Sequence, residues 1–208
     1  MTQHARRLLI ASLVTLGTVA LTACQPPVPD PQPLPELVWE SEGTSPLEDD
    51  EFVVAARAAD TARTLAWNRA DFALEQFIAT NTSLAAQRLY NGYRTSFAVN
   101  GLPPTAYPGP GLWQPISVTP DAEGGAEVVV CNASEGWIFE DGGEPTYDLA
   151  QGLELIVFIV DDDGTLRADE FRRTGVACDA TGAPVGRFDP APQLRDSITE
   201  DQVVPPPG

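Results

Sequence analysis

The rhythm of apolar residues changes at Pro103-Pro104, and that change limits the folds open to this 208-residue chain. Before it, Phe52, Ala55, Ala59, Ala62, Ala66, Ala70, Ala73 and Phe77 recur at three- and four-residue steps, which draws one apolar stripe along a helix. Glu48-Asp49-Asp50-Glu51 precede the run, where negative charge complements the positive end of a helix. The spacing predicts helix from Phe52 to Thr80 with a bend near Asn68. Asn81-Thr82-Ser83 then supplies capping side chains for a further helix through Leu84, Leu89, Tyr93 and Phe97, and Asn100-Gly101 supplies its stop.

After the prolines and the Tyr107-Pro108-Gly109-Pro110 loop, the vocabulary is that of strands: Trp113 to Val118, Ala126 to Cys131, Leu153 to Val160 and Leu166 to Cys178. Leu153 to Val160 is nearly all apolar, as a central covered strand is, and Asp161-Asp162-Asp163-Gly164 turns the chain into an antiparallel neighbour. Helices first and strands afterwards predict an α+β fold, with the helices packed on the sheet. Four Trp, eight Phe and four Tyr are enough to fill one core.

The two ends read differently from the middle. Arg6 and Arg7 form a positive n-region, Leu8 to Ala20 an apolar h-region, and Leu21-Thr22-Ala23-Cys24 places small residues before a cysteine. This order resembles the bacterial lipobox. The resemblance implies cleavage after residue 23, a diacylglycerol and further acyl chain on Cys24 (the palmitate-type anchor of such lipoproteins), and a mature protein held on the outer face of the cell membrane. An ordinary signal peptide or an uncleaved anchor are the rival readings, although the apolar run falls short of the ~20 residues that span a bilayer. Prolines at 26, 27, 29, 31, 33, 35 and 46 mark residues 24–46 as the lipidated cysteine and an extended spacer. The folded domain is expected over 47–188, and the acidic, proline-bearing stretch 189–208 as a disordered tail.

Within the domain, the succession of helices and then antiparallel strands resembles the nuclear transport factor two-like cone. Val128-Val129-Val130-Cys131-Asn132-Ala133-Ser134-Glu135-Gly136-Trp137, the Asp162-Asp163-Gly164 hairpin and Gly175-Val176-Ala177-Cys178 are similar to small actinobacterial lipoproteins of that fold. The resemblance covers roughly residues 48–178 and implies helices on a curved antiparallel sheet enclosing a cone. Enzymes of the wider fold often set an Asp beside a His in the cone, and here the single His4 lies in the leader.

If Cys24 is lipidated, two thiols remain in an oxidising compartment, Cys131 and Cys178, each at the end of an expected strand. They are expected to form a disulfide; the competing reading is two free thiols. The mature chain then has no His, and the sequence contains no Lys. That removes Ser-His and Cys-His nucleophile pairs, Schiff-base chemistry, lysine-ended phosphate loops and ordinary transition-metal sites. Carboxylates, Tyr, Arg and hydroxyls are left.

Asp161-Asp162-Asp163-Gly164 departs from a calcium loop because its glycine comes early and Arg172 stands where a bidentate Glu belongs, so it reads as a hairpin turn. Asp141-Gly142-Gly143-Glu144 reads as a loop. The formal charge of −18 becomes −20 once a leader with two arginines and no acid is removed, which excludes a nucleic-acid partner. Trp67, Tyr90, Tyr93, Trp113 and Trp137 fall on elements that would line a cone, with Arg94 placed for an anion; packing in the core is the plainer role for each. No residue is assigned a catalytic role, and neither a cofactor nor a metal is expected. The sequence reads as a membrane-anchored module, non-catalytic, that binds a small molecule, envelope component or protein partner. The alternatives are a carboxylate- or tyrosine-based enzyme in the same cone, or a structural module with a filled interior.

Overall fold

The computed structural model describes residues 33–133, 137–139, 152–160 and 163–208. The chain divides into Met1–Leu34 and Pro35–Gly208, and the elements that follow belong to the second unit.

Helix α1 spans Glu51–Arg69, α2 Glu75–Thr80 and α3 Ser83–Tyr93, the last running on as a wider π-helical turn, Arg94–Val99. Thr82 caps α3 as the sequence predicts, and Asp50, one of the acids expected to complement the start of α1, caps it with its side chain. Asp50 Oδ1 accepts the Phe52 amide at 2.9 Å, and Thr82 Oγ1 accepts the Ala85 amide at 3.1 Å. Strands β1 (Glu36–Ser41), β2 (Trp113–Pro120), β3 (Ala126–Asn132), β4 (Gly152–Val160), β5 (Leu166–Arg173) and β6 (Val185–Asp189) form two sheets, β1-β6 and β2-β3-β4-β5, antiparallel throughout. Bulges between Pro115 and Ser117 and between Val157 and Phe158 bend the larger sheet, so helices pack on a curved antiparallel sheet, an α+β fold.

The two halves of α1 bury different stripes. Val53, Ala56 and Ala59 pack on the sheet with Trp113, Val128, Val130, Ile156, Phe158 and Ala168. Ala62, Ala66 and Ala70 belong to a second cluster with Phe72, Phe77, Ala86, Tyr93 and Phe97. The periodicity is therefore real, but it serves two cores.

Several expectations need correction. The helix predicted from Phe52 to Thr80 is broken, because Ala70 adopts a left-handed conformation (φ 55°) and the Phe72 amide bonds to the Val204 carbonyl at 3.0 Å instead of continuing the helix. The spacer predicted to reach Pro46 stops earlier: residues 36–41 pair with β6, Leu37 opposite Phe188. The tail predicted as disordered from Asp189 packs, with Ile198 and Val203 each 4 % exposed inside the helical cluster. Composition misleads at both places because proline marks only where helices cannot form. The strand expected to reach Cys178 ends at Arg173, and Gly175 takes a positive φ of 72° just beyond it. Asp163 and Gly164 lie in the connection of an antiparallel hairpin, Gly164 at φ 78°; Asp161 and Asp162 lie outside the described residues, as do the leader, Cys24, most of the spacer and the Asp141–Glu144 loop.

Cys131 and Cys178 are joined in a disulfide across a sequence separation of 47. They share a third buried cluster with Leu112, Ala133, Trp137 and Ala180.

Candidate functional site

Strand register assembles the site. Side chains alternate across a strand, so Glu154, Ile156 and Phe158 of β4 share one face. Val130 pairs with Glu154 and Val128 with Ile156 on one side, while Arg173 pairs with Glu154 and Phe171 with Ile156 on the other. Trp113 opposite Asn132 extends the same face toward β2. Over it lies α1, whose Asp60, Arg63, Thr64 and Trp67 follow the i, i+3, i+4, i+7 spacing of a single stripe. Between stripe and sheet is a cavity of about 360 Å³, lined also by Tyr107 and Gly111. A second cavity of about 420 Å³ shares Arg63, Leu89 and Phe171 with the first.

The wall from Tyr107 to Gly111 is held by side chains of α1. Asn68 donates Nδ2–H to the Tyr107 carbonyl and accepts the Tyr107 amide at Oδ1, both at 2.8 Å. Asp60 Oδ2 accepts the Gly111 amide at 2.7 Å and the Trp113 indole N–H at 3.1 Å. Trp67 donates its indole N–H to Thr105 Oγ1 at 3.2 Å. Gly109 allows this loop to lie against β6, since a Cβ there would fall 1.9 Å from the Gly186 carbonyl oxygen.

Electrostatics single out Glu154, a carboxyl only 7 % exposed on the central strand. Asn132 Nδ2 donates a short hydrogen bond to its Oε2. Burial pushes its pKa up, and the charge of Asp60 acts in the same direction; Arg63, the Asn132 hydrogen bond and Arg173 oppose the rise without cancelling it. The Arg63 guanidinium lies over the Phe171 ring, 4.2 Å from its centroid. Arg57 is similarly placed over Trp113 at 3.8 Å but is paired with Glu48 at 2.8 Å.

Of the aromatic and basic residues singled out from sequence, Trp67 and Trp113 line the first cavity. Tyr93 is buried in the helical cluster, where Phe72 meets both it and Tyr90 edge-on. Arg94 reaches Glu200 of the C-terminal segment through a close ion pair. Trp137 is buried beside the disulfide and donates its indole N–H to the Pro110 carbonyl at 3.1 Å. The structure adds Asp60, Arg63, Asn132, Glu154 and Arg173. A signal existed for three of these: Asp60 and Arg63 stand seven and four residues before Trp67, on the same helical face, and Glu154 is the one charged residue in an otherwise apolar strand, in phase with Ile156 and Phe158.

Among the described residues no three His, Cys, Asp or Glu side chains gather as a metal site requires, and no helix is long and apolar enough to cross a membrane. Compared with protein-family models, with curated proteins and with solved structures, the chain matches none.

Proposed function

We propose that this domain is a binding module for a small polar molecule, held in the cavity between α1 and the four-stranded sheet. One observation carries the reading: the space between helix and sheet is left open at about 360 Å³ and lined by Asp60, Arg63, Asn132, Glu154 and Arg173 with Trp67 and Trp113. A protein interior normally closes such a gap with side chains, and an unfilled, polar-lined volume of this size is that of a small-ligand site. Helices packed on a curved antiparallel sheet around it support the cone of the nuclear transport factor two-like architecture. The n-region, h-region and box ending at Cys24 support export and lipid anchoring at the outer face of the membrane.

The test is a nuclear magnetic resonance screen of the mature domain against a library of small neutral, cationic and anionic compounds, read at the Trp67 and Trp113 indole N–H signals. Saturable shifts that disappear in Thr64→Phe, which narrows the cavity, are expected. A library that leaves both signals unmoved sinks the reading. For the anchor, Cys24→Ala is expected to release the protein from membranes, and unchanged retention and mass would refute it.

Glu154 favours a second reading. A carboxyl whose pKa is pushed up by burial, in the same cavity as Asp60, has the character of a general acid. Turnover of a bound compound that Glu154→Gln abolishes, with binding retained, would select the enzyme over the binding module.

A further inference from the structure

Positive charge is scarce in this chain, with 12 basic residues against 30 acidic ones. Arg57, Arg94, Arg167, Arg172 and Arg187 each stand within ion-pair distance of a carboxylate. Arg63, Arg88, Arg173 and Arg195 do not among the described residues; Arg195 donates to the Arg69 carbonyl at 3.1 Å, and the other three line the two cavities. Arg88 and Arg173 are exposed and water serves them, whereas Arg63 is partly buried, so a cavity holding Arg63 with Arg173 at its rim is a place where an anion finds positive charge in an otherwise acidic protein.

Arg63 is the best placed of them. It is half-buried, makes no hydrogen bond to a described residue, lies over Phe171 and faces both cavities. A guanidinium over a ring face keeps its N–H groups in its own plane, where they can take the two oxygens of an oxyanion. Asp169 and Glu170 also line the second cavity but are engaged, Asp169 by the Thr82 hydroxyl at 2.8 Å and Glu170 by Arg172 at 4.0 Å. In the first cavity Arg173 stands opposite Glu154 in the β4–β5 register. One face of that cavity thus offers donors without acceptors, and the neighbouring position offers a buried carboxyl already tied to Asn132.

We propose that the first cavity takes a small hydroxylated organic anion, a carboxylate or phosphate ester, whose charged end meets Arg63 and Arg173 and whose hydroxyl meets Glu154. The assignment rests on the reading of this cavity as a binding site and adds the class of ligand to it. Binding also shifts a proton balance. The groups facing Glu154 are Asp60 and Arg63 of α1, Asn132 of β3 and Arg173 of β5. An anion on the two arginines cancels the field that holds the Glu154 proton affinity down, so affinity rises as pH falls through the range where Glu154 titrates.

The experiment uses four compounds of one carbon skeleton, glucose, glucosamine, gluconate and glucose 6-phosphate, titrated into the mature domain and read at the Trp67 and Trp113 indole signals. Saturable shifts are expected with gluconate, glucose 6-phosphate or both, the stronger of the two identifying carboxylate or phosphate as the preferred group. Arg63→Gln and Arg173→Gln are each expected to weaken that binding about tenfold or more. Arg172→Gln, which removes the same charge from the neighbouring residue of β5, is expected to leave it unchanged. Glucose or glucosamine binding as tightly as the anions, or anion binding indifferent to both cavity substitutions, overturns the proposal while leaving the cavity as a ligand site. Silence from all four overturns it as well, and the broader library then decides whether the binding reading falls with it.

Discussion

Asp60 accepts the indole N–H of Trp113 at 3.1 Å with the same Oδ2 that accepts the Gly111 amide at 2.7 Å. One carboxylate of α1 therefore fixes both the first residue of β2 and the end of the loop whose Tyr107 and Gly111 line the cavity. Asp60→Ala removes the acceptor from two donors in a poorly solvated place and is expected to cost about 2–3 kcal/mol. Asp60→Asn keeps a carbonyl oxygen and is expected to cost less than half as much. Urea denaturation followed by tryptophan fluorescence separates the two, and equal costs would show that the charge matters rather than the acceptor.

Glu154 ties stability to pH in a direction opposite to that of a salt-bridged acid. Its pKa is raised in the folded state, chiefly by burial, above the ordinary value of 4.5. Between the two values the folded protein holds more protons than the unfolded chain, so stability declines as pH rises from the ordinary glutamate value through the raised one. Glu154→Gln keeps an oxygen for Asn132 and carries no charge. It is expected to match the wild type below the ordinary value and to melt at a higher temperature at neutral pH. Thermal melts at a series of pH values read this, and parallel curves for the two proteins would contradict it. In Asp60→Asn the carbon-13 titration of the Glu154 carboxyl is expected at lower pH, because a charge that disfavours its ionisation is gone.

Much of the architecture was legible in the chain because local signals dominate there. Thr82 caps where short polar side chains precede apolar periodicity, and the nearly all-apolar run from Leu153 to Val160 is an inner strand of the sheet, as its composition implies. The additions come from long-range pairing, which leaves little local trace. Glu36–Ser41 is a strand only because Val185–Asp189 lies beside it, and the break at Ala70 exists where Val204 arrives to pair with Asp71 and Phe72. The site follows the same division. Trp67 and Trp113 were visible as large aromatics on suitable elements, whereas Arg173 reaches the cavity only through the β4–β5 register. Tyr93 and Trp137 look identical to them in sequence and are buried away from this cavity, in the helical cluster and beside the disulfide, while Trp113 both packs in the core under α1 and lines the cavity.

The C-terminal segment is expected to behave as part of the fold. Ile198 and Val203 are each 4 % exposed among the helices, and Val204 bonds through its amide to the Ala70 carbonyl at 2.9 Å. Ending the chain after Asp196 withdraws two buried aliphatic side chains, worth about 3–5 kcal/mol together. Glu200→Gln, by contrast, loses only an exposed ion pair with Arg94 and is expected to cost less than about 1 kcal/mol. Denaturation midpoints of the two variants test the contrast, and a truncated protein as stable as the full chain would return the segment to the role of a loose tail.

The disulfide fastens what the sheet alone leaves weak. Cys178 lies beyond the end of β5, in a stretch without regular structure, while Cys131 sits fully buried near the end of β3. Their bond closes a loop with a sequence separation of 47, which by the chain-entropy relation stabilises the fold by about 4 kcal/mol through the unfolded state. Two alanines at these positions also leave a gap beside Trp137, which shares the buried cluster. The double alanine variant is therefore expected to lose at least as much stability as reduction of the wild type. Urea unfolding of wild type with and without reductant, beside the double variant, measures both terms. A wild type indifferent to reductant, or one whose denatured and unreduced chain takes alkylating reagent at both cysteines, would show that the bond is not formed in solution.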